Sequence, residues 1–226
     1  MKYGTWTVSS YEPADARALC AAGFSPITAA LLCSRGYRDA DAAREFLSCS
    51  YPLSSPFDLL DMDKAAARVR LALQRREHIA VFGDYDVDGI TATCLLTEYL
   101  RSRGGHVTSY IPARLEEGYG LNREAVAALR EQGVTLIVTV DCGITAVEEA
   151  RWAGELGVDV VITDHHECKA ELPPAAAVVD PHRKDCPYPF KQLAGVGVAL
   201  KVALALHGPG QEEALLREYA DLAAVG

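Results

Sequence analysis

From residue 77 onward the chain alternates between short unbroken apolar runs and longer stretches in which apolar residues return at every third or fourth position. Short runs rich in Val and Ile, bounded by turn formers, suit strands buried on both faces, and the three-to-four spacing suits amphipathic helices. The pattern predicts strands over 79–83, 107–111, 135–140, 158–163 and 176–179. Helices are predicted between them over 90–103, 122–131 and 146–156, and after them over 192–207 and 211–222. Strands and helices in alternation are the mark of repeated βαβ units, so the expected fold class is α/β, a parallel β-sheet flanked by helices. Upstream, residues 13–21, 25–33, 39–47 and 61–74 carry helical spacing alone, interrupted by turn signals and the loop SYPLSSPF. The expected division is therefore a small helical N-terminal region, residues 1–75, and a sheet-containing domain, residues 76–226.

Three of the predicted strands end on acids. Ile79-Ala80-Val81-Phe82 runs into Asp84, Asp86 and Asp88, the run 136–140 delivers Asp141, and the run 158–163 delivers Asp164, His165 and His166. Parallel sheets place ligands beyond the carboxyl ends of their strands, so these groups should converge on one edge. Two carboxylates about 4 Å apart repel by roughly 4 kcal/mol at an effective dielectric near 20, so such a cluster calls for divalent cations, in all a metal pair. One aspartate behind a strand is more often a turn former or helix cap, but three in alternation favour cations. Oxygen and imidazole donors together suit Mn²⁺, with Mg²⁺ as the alternative. Adjacent histidines point in different directions, so one of His165 and His166 can ligate a metal while the other meets a phosphate. Asp164 reads better as a group fixing a histidine tautomer than as a ligand. Cys142 and Cys168 flank the cluster but have no cysteine partner at metal-binding spacing, which disfavours thiolate ligation.

Several residues could hold a substrate. Arg114 offers a bidentate donor for phosphate, and Tyr119, between two glycines, could stack on a base. Gly195 and Gly197 near a helix start could leave backbone N–H groups free for an anion, although close helix packing explains them nearly as well. His182, Arg183, Lys184 and Lys191 form a basic cluster that reads equally as solvated surface and as a backbone clamp. Phosphate-loop and dinucleotide fingerprints are missing. With 226 residues, half of them hydrophobic, the chain can bury a substantial core. A formal charge of −9 argues against coating nucleic acid by bulk electrostatics, so polyanion binding must come from local patches. The seven cysteines form no CxxC pair and suit free thiols in a reducing cytoplasm. The N-terminal stretch has no apolar signal-peptide core, and no apolar run is long enough to cross a bilayer.

In order, VFGDYDVDGITAT, TVDCGI and TDHHE resemble the first three motifs of the DHH phosphoesterase superfamily. IPARLEEGYGLN and DPHRKDCPYPFKQLAGVGVALK, with RGYRDADAAREFL and PFDLLDMDKAAARV upstream, are similar to its single-strand-specific exonuclease branch rather than to the small oligoribonucleases or cyclic-dinucleotide phosphodiesterases. The resemblance implies a two-metal site, Mn²⁺ or Mg²⁺, hydrolysing phosphodiesters from the 5′ end of single-stranded DNA during repair and recombination. Carried over by motif, Asp84, Asp86, Asp88 and His165 are ligands, Asp141 is a bridging ligand and His166 contacts the scissile phosphate. Asp86, Asp88, Asp141, His165 and His166 are the implied catalytic set, with Arg114 and the Gly195–Gly197 segment on the DNA phosphates and Tyr119 and Arg183 as further substrate contacts. The family's fourth motif supplies another aspartate a few residues beyond a segment like YADLAAVG, and the chain stops at Gly226. The expectation is an N-terminal fragment with an incomplete metal site and low activity. Two alternatives are a non-catalytic scaffold, which would lack several of these acids and histidines, and a hydrolase of short oligonucleotides or cyclic dinucleotides, which would lack the N-terminal helical region.

Overall fold

The computed structural model describes residues 7, 9–48, 53–113, 118–208, 210 and 212–226. Arg114 lies outside the described residues. The chain forms two compact units, Met1–Leu53 and Ser54–Gly226. The first gathers helices α1 (Pro13–Ala21), α2 (Pro26–Ser34) and α3 (Ala40–Ser48) around Leu19, Ala29, Leu32, Cys33 and Ala43. Ser25 starts α2 by accepting a hydrogen bond from the Thr28 N–H at 3.1 Å, and Pro26 occupies a position whose missing N–H costs nothing.

The second unit contains the parallel sheet. After helix α4 (Met62–Arg75) come β1 (His78–Phe82), α5 (Val87–Ser102), β2 (His106–Tyr110), α6 (Arg123–Glu131), β3 (Val134–Val140), α7 (Val147–Glu155), β4 (Asp159–Thr163), β5 (Ala177–Val179), α8 (Gly195–His207) and α9 (Glu212–Val225). The five strands are all parallel, in the order β2-β1-β3-β4-β5. The expected α/β class, with helices before and around the sheet, is what forms.

Side-chain alternation sorts each strand between two cores. Ile79, Val81, Leu136, Val138, Val140, Val161 and Val179 pack with residues of α4, α5, α8 and α9, whereas Ala80, Phe82, Ile137, Val160, Ile162 and Val178 pack with α6 and α7. Burial on both faces explains why the runs read as continuously apolar. The chain goes from β1 outward to β2, then returns to place β3 on the other side of β1. That reversal leaves a crevice above the carboxyl ends of β1 and β3, where a doubly wound sheet binds its ligands.

Two expectations change. The compact units divide at Leu53 and Ser54, not at 75 and 76, because Met62, Ala65, Ala66, Val69 and Ala72 of α4 are buried in the sheet's own core. Helix α5 begins at Val87 rather than at residue 90, because the Asp86 carboxylate accepts the Gly89 N–H at 3.0 Å and caps it.

Arg183 is also not where substrate binding would need it. Its side chain is 9% exposed. Nη1 donates to Asp61 Oδ2 at 2.7 Å and to the Val178 carbonyl at 2.6 Å, and Nε and Nη2 donate to Asp185 at 3.1 and 3.0 Å. The guanidinium ties the start of α4 to the end of β5. Lys191 is likewise internal, donating to the Pro181 and Cys186 carbonyls at 2.8 and 2.7 Å. Arg183→Ala should destabilise the chain by about 2–3 kcal/mol, the range for a lost charged hydrogen-bond set when Lys64 still pairs with Asp61. Urea unfolding measures it, and a change under about 0.5 kcal/mol, the ordinary surface value, would show that the clamp is not structural.

Candidate metal centre

The strand register lines up four aspartates. Val140 pairs with Thr163 and Thr163 with Val179, so Asp141, Asp164 and Asp180 follow side by side at the carboxyl edge. Phe82 pairs with Thr139, which brings Asp84 into the same row two residues on. All four are buried, at 3% exposure for Asp84, 1% for Asp141 and Asp164, and 0% for Asp180. Asp180 was not among the expected site residues, although the apolar run Ala177-Val178-Val179 ends on it just as the other runs end on theirs.

Asp141 sits at the junction of two donor sets. Asp84, Asp86 and Asp141 each offer one oxygen within 4.8 Å of the others, and Asp141, His165 and His166 form a second set by the same measure. Asp141 itself has φ +59°, a left-handed conformation that aspartate tolerates better than most residues. Its Oδ1 lies 3.0 Å from His165 Nε2 but receives no aligned hydrogen bond and is buried. Burial pushes the Asp141 carboxyl up to about 6, against the pull of His165, and Asp88 adds to the rise. A desolvated carboxylate oxygen with no donor, in a set of oxygens and imidazoles, fits a hard or borderline divalent cation. Cys142 does not compete, because complete burial raises its thiol well above the ordinary value.

Asp164 has a different task. Its Oδ1 accepts the His165 and His166 N–H groups at 2.7 and 3.2 Å and lies 2.7 Å from His166 Nδ1, while Oδ2 accepts the Ile144 N–H at 2.9 Å. Burial opposes its ionisation, yet the imidazole and these N–H groups hold the carboxyl below its usual range. Through the same contact Asp164 raises His166 to about 9, which makes the ring a cation at neutral pH. His165 is raised by the neighbouring Asp141 carboxylate.

Asp88 lies at the edge of the cluster, its Oδ2 3.5 Å from His165 Nε2. Its two oxygens accept the Gly195 and Val196 N–H groups at 2.7 and 2.6 Å. The expectation that Gly195 keeps a free N–H for a phosphate is therefore corrected: an internal carboxylate occupies the start of α8. Glycine is needed at 195 because a Cβ there would fall 2.5 Å from both Asp141 Cβ and Oδ1. At Gly197 a Cβ would press on Leu193 at 3.1 Å, which is the packing explanation. Tyr119 is half exposed, with its hydroxyl 3.5 Å from both the Asp141 carbonyl and His166 Nδ1, and Tyr85 meets its ring edge-on at 6.3 Å.

A cleft of buried carboxylates and imidazoles above the switch point of a parallel sheet defines the class, a metal-binding α/β domain. The chain belongs to the DHH family: the model described as "DHH family, N-terminal domain" matches residues 78–226. It is 47% identical over 203 residues to the single-stranded-DNA-specific exonuclease RecJ of Bacillus subtilis strain 168, a match covering 89% of this chain and 25% of that protein. A crystal structure of RecJ from Thermus thermophilus in complex with Mn²⁺ superposes with a TM-score of 0.73 at 34% identity, over 96% of this chain and 30% of that one. A second crystal structure, of exonuclease RecJ bound to manganese, gives 0.67 at 40% identity over 76% of this chain and 43% of that one. The chain thus spans between a quarter and under half the length of these relatives.

Two results are expected. Gly195→Ala should weaken Mn²⁺ binding by about tenfold or more, since the added methyl displaces Asp141, a loss of the size expected when the support of a ligand is disturbed. Calorimetric titration with Mn²⁺ reads it, with far-UV circular dichroism checking the helices. In EDTA, stability should fall as pH rises from the ordinary carboxyl value of 3.8 through about 6, because Asp141 holds its proton more tightly folded than unfolded. Asp141→Asn should flatten that slope in urea unfolding at a series of pH values, and an unchanged slope would mean that Asp141 is not its source.

Proposed function

We propose that this chain carries the metal-binding catalytic half of a single-strand-specific DNA exonuclease, hydrolysing phosphodiesters with Mn²⁺ or Mg²⁺ and working from the 5′ end in DNA repair and recombination. The observation that carries this reading is Asp141, a buried carboxylate with Asp84 and Asp86 on one side of it and His165 Nε2 3.0 Å away on the other. The similarity to RecJ proteins over most of this chain supports the choice of substrate. Free thiols at all six described cysteines agree with work in the reducing cytoplasm. No helix among the described residues is long and apolar enough to cross a membrane.

In this reading Asp84 and Asp86 would hold one ion together with Asp141, and His165 would hold the second with Asp141 shared between them. When bound, the pair supplies Lewis acidity that lowers the pKa of water and offsets charge on the reacting phosphate. Asp164 fixes the His166 ring through Nδ1, which leaves Nε2 to donate to a phosphate oxygen. Asp88 pins the start of α8 against the cluster and so sets how close Gly195 comes to Asp141. Tyr119 and Tyr85 line the approach as an aromatic wall on which a base can stack.

The test compares Mn²⁺-dependent hydrolysis of 5′-labelled single strands, duplex DNA and cyclic dinucleotides by this chain. Single strands should be cut in preference, and cutting of cyclic dinucleotides alone would overturn the substrate assignment. His166→Ala should lower kcat by about 10²-fold, the loss typical of one preorganised donor on a charged transition state, while Mn²⁺ affinity stays unchanged. A matching fall in Mn²⁺ affinity would make His166 a ligand instead.

A further inference from the structure

Beyond the metal cluster, on the β5 side of the same sheet edge, lies a cavity of about 240 Å³, against roughly 10–15 Å³ for one water. Its walls come from the two loops that leave β4 and β5: Glu167, Cys168 and Lys169 directly after His166, and His182, Arg183 and Lys184 just after Asp180. The geometry points to this cavity as a phosphate subsite for the backbone of a single-stranded nucleic acid whose reacting end lies in the metal cluster, with Lys169, Lys184 and His182 as its donors. The inference rests on the reading given under Proposed function and adds to it a second place where the strand is held.

Charge around the cavity supports an anion. Lys169 and Lys184 are exposed and make no ion pair with a carboxylate among the described residues. Asp185 lines the cavity, but its charge is spent on Arg183 at 3.0 Å. Cys168 adds no negative charge, since burial and the nearby Asp180 push its thiol up to about 12. Glu167 is the one acid of the lining without such an offset. His182 is fixed from below by its backbone N–H on Asp180 Oδ1 at 2.7 Å, and its ring Nδ1 is buried 3.8 Å from that oxygen, which leaves Nε2 as the ring nitrogen for a ligand. In a protein with a net charge of −9, two uncommitted lysines and a half-buried imidazole around one hollow next to the acidic cleft are where a polyanion can be gripped.

The test measures binding of a fluorescent phosphorothioate oligothymidylate, which resists cleavage, to this chain in Mn²⁺ over a range of salt concentrations. Each phosphate contact to a single strand adds about 0.7 to the slope of log K against log salt, so Lys169→Gln with Lys184→Gln should reduce the slope by about 1.4. Affinity at low salt should fall by about tenfold, and the Glu replacements at the same positions should weaken it further. Mn²⁺ titration of each variant checks that the metal cluster is intact. Equal slopes and affinities for wild type and both double variants would overturn the subsite while leaving the exonuclease reading in place. A wild-type chain that binds Mn²⁺ yet no oligothymidylate would overturn both.

Discussion

The constraint on which this structure depends is the burial of a row of carboxylates at one edge of a parallel sheet. Each ionised carboxyl taken out of water must be met by donors or by a cation, or it will hold a proton instead. The members of the row are met differently. Asp164 is satisfied by three backbone N–H groups and an imidazole. Asp180 has one N–H on Oδ1 and nothing on Oδ2, and burial raises it to about 7. Asp141 has a buried oxygen with no donor, and it is also the member common to both donor sets. This difference in satisfaction separates an aspartate that organises the site from one that waits for a positive ion.

Much of this was legible in the chain because strands buried on both faces read as unbroken apolar runs, and their last residues must project from the sheet's carboxyl edge. Asp84, Asp141 and Asp164 followed from that rule. Asp180 obeys the same rule, but its strand has only three residues and gives too weak a signal beside the longer runs. The order of the strands was not legible, since period and propensity mark elements and not neighbours. The same limit hid α4, whose apolar stripe announces a buried face without saying that the sheet is what it covers. Long-range pairing misled most at Gly195 and Arg183. Glycines at a helix start look available to a ligand until the Asp88 carboxylate, 107 positions earlier, is seen on those N–H groups. A basic residue among basic neighbours looks solvent-facing until Asp61, 122 positions earlier, is found against it.

Close backbone approach is the second consequence of packing anions so densely. A Cβ at Gly89 would lie 2.6 Å from the Asp84 carbonyl oxygen, and one at Gly195 would strike Asp141. Both glycines stand in the first turn of a helix, and both let that turn come against an aspartate of the row. The helices therefore arrive amino end first, where the Gly89, Gly195 and Val196 N–H groups meet the Asp86 and Asp88 carboxylates and the helix dipole is positive. The main chain thus offsets part of the carboxylate charge in the cleft before any metal ion is considered.

The alternation of acids in Asp84-Tyr85-Asp86-Val87-Asp88 acquires a physical meaning in this arrangement. Asp84 ends the strand run and joins the buried row. Asp86 turns back on its own helix and caps α5 at the Gly89 N–H. Asp88, in the first turn of α5, reaches across to cap α8 at Gly195 and Val196. One short acidic stretch therefore fixes the starts of two helices and contributes to the donor set around Asp141. Because Asp86 has both duties, its capping bond holds the carboxylate in place while its remaining lone pairs face the cluster, so the helix start and the ligand set cannot be altered separately. That coupling is a physical reason for acids at all three positions, where turn formation alone would need only one.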